Sequence, residues 1–314
     1  MKGAAFWGTT AGLLVAGLVL TELLDNEYYF NALYLILQAM LMAVAWNVLG
    51  GFTGYVNFGS AGFFAMGAYT TVALNKALGL PLPLLILAGG AVGGLVGLGL
   101  GYLTLRLKGV YFAIATLAMA IVIETFVNNW SYVGGAKGSY LLTPESHLWF
   151  ASYIQMLFMM MLLLTLAAVA VSRRLNASRL GRGLAAIRDD EVAAECAGVP
   201  TLKLKLVSTT VMGAMMGIAG APFPFFVTFV DPASAFSLFI AVNAIAMPMI
   251  GGTAHWLGPV IGALLVGTTQ EVIKVTVSSE LNVLIVGIML VGFITLAPQG
   301  IVGLVRRLAR RGRR

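Results

Sequence analysis

Few residues in this chain could do covalent chemistry, and none is spaced for it. His147 and His255 are its two histidines, and each stands isolated. Neither lies in a His-Glu-x-x-His pattern, which would set two imidazoles on one helix face around zinc. No Gly-x-Ser-x-Gly turn presents a serine nucleophile. Cys196 is the one cysteine, which excludes an intrachain disulfide and a cysteine metal cluster. GGAKGS at 134–139 has glycine and lysine but lacks the spacing that lets backbone amides cradle phosphate. The sequence therefore predicts no catalytic residue, no metal site and no cofactor held by this chain.

Ionisable groups inside apolar runs are the other source of chemistry, because they mark ion and proton paths through membranes. Glu124 in ATLAMAIVIETF and Glu271 in GTTQEVIKV are such groups. Both fall near the ends of their runs, and Lys274 three residues past Glu271 offers an ordinary helical ion pair. Nothing resembling an acidic pair or a His–carboxylate relay occupies a run's centre. That speaks against an ion-coupled secondary transporter, the main rival class.

These residues must be positioned by membrane helices. The 314 residues are 60% hydrophobic and only 10% charged, against roughly 25% charged in soluble domains. Apolar stretches of about 17–25 residues recur throughout, the length that crosses a hydrocarbon core as a helix. Their apolar residues run continuously rather than alternating, so an all-α polytopic fold is predicted over a β-barrel. About ten spans are expected, at 4–22, 31–50, 53–74, 84–105, 109–127, 152–172, 206–229, 236–251, 258–276 and 282–304. Together they form a single transmembrane domain covering 1–314. The 38 glycines suit close helix packing.

Two places should be irregular. GGFTGYVNFGSAGFFAMGAY at 50–69 is broken by glycine, Asn57 and Ser60, and non-helical backbone at membrane depth must face protein or a water-filled cavity. Asn57, Ser60 and Tyr69, with Tyr111, are therefore candidates for the translocation path, as are Glu124 and Glu271 near the outer surface. In GAPFPFF, Pro222 and Pro224 should kink or end the seventh span.

The net charge of +7 could suggest nucleic acid, but the basic residues lie between spans and at the C-terminus. That is the distribution of topology signals, and nucleic acid is excluded as a partner. The polar segment 173–205 holds seven of the 19 Lys and Arg and four of the 12 Asp and Glu. With the tail RRLARRGRR it should be cytoplasmic, and four spans separate the two. The acidic 22–27 loop and 128–151 then fall outside, and both termini inside. The first span follows Lys2 and lacks a small-x-small cleavage site, so it reads as retained.

Five segments resemble one family. GYVNFGSAGFFAMGAYT (54–70), LRLKGVYFAIATLAMA (105–120), VGGAKG (133–138), GRGLAAIRDDEVAAECAGV (181–199) and IGGTAHWLGPVIGALL (250–265) with LAPQGIVGL (296–304) are similar, in order, to LivM-type permeases of branched-chain amino acid ABC importers. The resemblance implies a bacterial inner-membrane permease paired with a second, homologous permease. It also implies two cytoplasmic ATPase subunits that bind ATP and Mg, and a periplasmic substrate-binding protein. A helix at 183–197 would be the coupling helix docking on an ATPase. Arg182, Arg188, Asp189, Asp190, Glu191 and Glu195 would give it polar contacts, and Leu184, Ile187 and Val192 an apolar side. Gly198 would cap its end. Lying on lipid is the alternative use of such a helix, disfavoured by its four acids. TAHW (253–256) and Asn57 depart from the family pattern, so urea, short amides or aromatic acids stand as alternative solutes to hydrophobic amino acids.

Overall fold

The computed structural model describes residues 3–24, 26–142, 150–276, 281–296 and 300–304. His147 and the basic tail 306–314 lie outside them. The described chain is helical apart from two short strands and its turns: α1 (Gly3–Leu23), α2 (Glu27–Thr53), α3 (Ser60–Leu78), α4 (Leu82–Thr104), α5 (Val110–Asn128), β1 (Ser139–Tyr140), α6 (Tyr153–Ala177), α7 (Arg179–Asp189), α8 (Glu191–Cys196), α9 (Thr201–Gly220), α10 (Phe223–Val227), β2 (Phe229–Val230), α11 (Pro232–Ala235), α12 (Leu238–Gly251), α13 (Leu257–Thr276) and α14 (Leu281–Leu296). Seven of the described helical stretches are long and apolar enough to cross a membrane by length and composition. This is the all-α architecture of a multi-pass membrane protein. Helices also occupy the stretches expected as the third, ninth and tenth spans, in α3, α13 and α14.

α2 is the central column. Asn26 caps its start, its side chain accepting from the Tyr28 amide at 3.0 Å. From Met40 to Thr53 every residue is buried, the signature of a helix surrounded by others. α2 ends at Gly54, whose φ of 80° is left-handed and which donates back to the Gly50 carbonyl.

α4 and α9 pack backbone to backbone. Gly89, Gly93 and Gly97 recur every four residues on α4 and so share one face. That face meets Gly213 and Gly217 of α9, and a Cβ on Gly97 would sit 2.7 Å from the Thr209 carbonyl oxygen. A Cβ on Gly93 or Gly217 would likewise run into the partner backbone. α3 joins the same seam through Gly67, opposite Gly217. In lipid, where apolar tails offer helices no reason to associate, such close approach supplies the packing energy.

The segment 54–59 is non-helical, so the expected third span starts only at Ser60. Its backbone is satisfied by side chains from two other helices. Trp46 Nε1 donates to the Asn57 carbonyl at 2.8 Å, and the Phe58 amide donates to Thr116 Oγ1 at 3.2 Å. The Asn57 side chain accepts from the Gly59 amide at 2.7 Å. Buried backbone that leaves a helix needs such partners. α9 stops at Gly220 and α10 begins beyond Pro222, so the proline pair ends the helix as expected. At the far end from α7 and α8, β1 and β2 pair antiparallel, Ser139 opposite Val230.

Candidate functional site

The polar segment forms two helices rather than one continuous helix over 183–197. Asp190 has φ −160° and ψ 112°, so it ends α7 and starts α8 at once. Its carboxylate accepts from the Val192 and Ala193 amides at 2.9 and 3.0 Å, an N-cap strong enough to divide the segment. Ser178 caps α7 in the same way, accepting from the Gly181 amide. Gly198 follows α8 at φ 82°, while the Val199 amide bonds back to Ala194, so the glycine turn stands where the sequence placed it.

α7 turns Leu184 and Ile187 inward, both buried, and leaves Arg182, Arg188 and Asp189 exposed. Arg188 reaches back over Gly54, where a Cβ would sit 3.3 Å from the arginine Cγ, and pairs loosely with Asp189 at 3.5 Å. Val192 is 60% exposed and so takes no part in the inward apolar side.

Glu191 faces the bundle, while Glu195 is exposed and reaches only the first residue of α9. Glu191 Oε1 lies 2.7 Å from Lys205 Nζ, whose side chain is 3% exposed near the start of α9. Tyr55 donates its hydroxyl to Glu191 Oε2 at 2.5 Å, and Lys205 also donates to Tyr55 Oη and the Leu105 carbonyl. Lys205 sits 4.5 Å from the Tyr55 ring centroid, and Lys108 approaches Glu191 at 4.0 Å. Glu195 accepts from Thr201 Oγ1 at 2.6 Å. One carboxylate thus ties α8 to α9, to the 54–59 segment and to the α4–α5 turn. Burial works against the Glu191 charge, but hydrogen bonds from Lys205 and Tyr55 and the charges of Lys205 and Lys108 outweigh it. The carboxyl is held below its usual range.

The interior candidates separate. Asn57, Ser60 and Tyr69 are buried, and the Ser60 and Tyr69 hydroxyls find no hydrogen-bond partner among the described residues. Tyr69 stacks on Phe236, with centroids 6.4 Å apart. Tyr111 does not join them: it is 73% exposed on α5. Glu124 is half-buried on α5, apart from that set. Glu271 and Lys274 form the expected i,i+3 pair at 2.5 Å.

Residues 28–294 match the family model described as the permease component of branched-chain amino acid transport systems. The chain belongs to this family. It is 28% identical, over 85% of its length, to the high-affinity branched-chain amino acid transport system permease protein LivM of Salmonella typhimurium, covering 68% of that protein. LivM of Escherichia coli is 27% identical over the same shares. A probable branched-chain amino acid transport permease protein LivH of Methanocaldococcus jannaschii is 26% identical over 80% of the chain and 84% of its own length. No solved structure matches.

In this permease-family chain, sequence reasoning missed Tyr55, Lys108 and Lys205. Lys205 opens an apolar span and reads as an ordinary snorkelling lysine, and nothing local joins it to Glu191. It also missed Gln38, Asn243 and Gln270, where a signal existed. Each is an uncharged polar residue inside an apolar run, which is expensive in a bilayer and so informative.

Proposed function

We propose that this chain is a permease subunit of an ATP-driven importer for branched-chain or other hydrophobic amino acids. The observation that carries the reading is the permease family match across 28–294. It supports a complex with a second, homologous permease, two cytoplasmic ATPase subunits that hold ATP and Mg, and a periplasmic binding protein. The membrane is the bacterial inner membrane, crossed ten times with both termini cytoplasmic.

In this reading the α7–α8 segment is the coupling element. Arg182, Arg188 and Asp189 are its contact groups toward an ATPase, and Leu184 and Ile187 seat it on the bundle. Asp190 divides it, while Glu191 and Glu195 fasten it to α9 and Gly198 turns the chain back. Force applied to the exposed face would pass through Glu191 and Lys205 into α9, and through Tyr55 into the 54–59 segment. A rigid-body shift of packed helices is the fitting response, since close-packed interiors switch between arrangements rather than deform continuously. The ligand-loaded binding protein would bias the same equilibrium from outside.

The test is uptake in proteoliposomes that hold this chain with and without its ATPase subunits. ATP-dependent uptake of L-leucine by the assembled complex, and none by the chain alone, is the expected result. Uptake by the chain alone on an ion gradient would replace the reading with a secondary transporter.

A further inference from the structure

A cavity of about 350 Å3 lies between α2 and α12 and reaches α3, α10 and α11. Its volume falls within the range of roughly 300–1,000 Å3 common to small-ligand sites. Gln38 and Asn243 both line it. Gln38 is the twelfth residue of the 27-residue α2, about 17 Å along the helix and so near its middle. Its side chain is buried, and its amide nitrogen is taken by Tyr34 Oη at 3.3 Å and the Ala219 carbonyl at 3.2 Å. Asn243 is fixed at its other end, its Oδ1 accepting from Gln270 Nε2 at 2.9 Å. Among the described residues no protein group pairs with the Gln38 carbonyl oxygen or the Asn243 amide nitrogen. The cavity therefore borders one free acceptor and one free donor, each on a side chain already held in place. Met42, Phe64, Phe239 and Ile240 supply apolar walls.

The geometry points to this cavity as a stopping place for the solute inside the membrane, suited to a zwitterion with an apolar side chain. The Asn243 amide donates to the carboxylate, the Gln38 oxygen accepts from the ammonium, and the apolar walls take the side chain. Two neutral dipoles hold the zwitterion weakly, because they do not repay its full desolvation as charged partners would. Weak holding suits a solute that must leave again on the other side. A larger cavity of about 610 Å3 between α1, α3, α4 and α6 is a poorer choice. Its lining is dominated by leucine, methionine, proline and aromatic side chains, a surface suited to lipid tails.

This assignment rests on the permease reading, and its test separates the two. The complete complex in proteoliposomes is supplied with L-leucine-loaded binding protein. Asn243→Asp keeps an acceptor for Gln270 but replaces the cavity's donor with a negative charge, and Ile240→Trp fills the space. Each should cut maximal L-leucine uptake about tenfold or more, the scale of one lost hydrogen bond to a charged group. ATP hydrolysis stimulated by the loaded binding protein, and the binding-protein concentration for half-maximal stimulation, should stay as in the parent. Because Cys196 is the chain's one cysteine, Ile240→Cys on a Cys196→Ser background gives a second readout. L-leucine should slow its alkylation by N-ethylmaleimide. Unchanged uptake in both variants, or alkylation indifferent to L-leucine, overturns the site while leaving the permease intact. A parent complex that hydrolyses ATP but imports no L-leucine overturns the permease reading itself, and the site with it.

Discussion

Glu191 illustrates how one residue can change meaning between sequence and structure. In AIRDDEVAAECAG it is one of four acids and reads as a contact for a partner. In the fold it is bound within its own chain by Lys205 and Tyr55. Breaking such a pair from one side leaves an uncompensated, largely buried charge, which typically costs about 3–5 kcal/mol. Lys205 keeps the Tyr55 and Leu105 oxygens, so the lower end of that range applies to Glu191→Ala. Glu191→Ala should therefore lower the thermal unfolding midpoint in detergent clearly, and Glu191→Gln, which still accepts, should lower it less. Equal midpoints for Ala and parent would remove the tie from the stability account. The pH dependence has a fixed sign. Folding depresses the Glu191 pKa, so its contribution is full above the ordinary carboxylate range and fades as pH falls through the depressed value. The Gln variant should lose that acid-side dependence. Nothing in the sequence announces this pair, because fourteen positions and a helix break separate its members. The Glu271–Lys274 pair was legible, since helical spacing alone joins it.

At the scale of elements, the apolar stretches and the ends marked by Pro222 and Gly198 were readable because length, proline and glycine act locally. The split at Asp190 was harder to see. DDEVAAEC reads as uninterrupted helix by composition, yet a carboxylate that satisfies two amides makes a new start cheaper than continuation. Asp190→Ala should cost about 1 kcal/mol of α8 stability and show as faster amide exchange over 191–197, with α7 unaffected. Loss of protection in α7 as well would mean that the two helices act as one unit. Glycine number showed that close packing exists somewhere but not which glycines make it. Gly99 has open space around its Cβ position, while Gly93 on the same helix is pressed against Gly213. Gly99→Ala should be neutral or gain up to about 1 kcal/mol from helix propensity. Gly93→Val should lose 3 kcal/mol or more, beyond the usual overpacking cost of about 1–3, since backbone rather than a side chain must move. Comparable yields of folded protein for the two variants would dissolve the α4–α9 seam as a specific contact.

For the whole molecule, the proposed transport cycle requires motion at the α7–α8 end to reach a solute at the middle. α9 carries Lys205 at its α8 end, Gly213 and Gly217 along the α4 seam, and Ala219, whose carbonyl holds Gln38, at its other end. A shift of α9 along its axis would therefore move both the anchor of α8 and an anchor of the cavity. On the proposed coupling role the exposed face of α7 receives the drive, so the charges to reverse are Arg182 and Asp189 and not Glu191, whose loss is predicted above to weaken the fold. Arg182→Glu with Asp189→Lys keeps the net charge and leaves the buried ties untouched. In the assembled complex this double variant should import L-leucine at about a tenth of the parent rate or less, the scale of a few weakened interfacial charge contacts. Its unfolding midpoint in detergent should equal the parent's, which separates a failed contact from a failed fold. Parent-like uptake and coupling would show that the face of α7 does not carry the drive. The path would then have to begin at the α4–α5 turn, whose exposed Lys108 approaches Glu191.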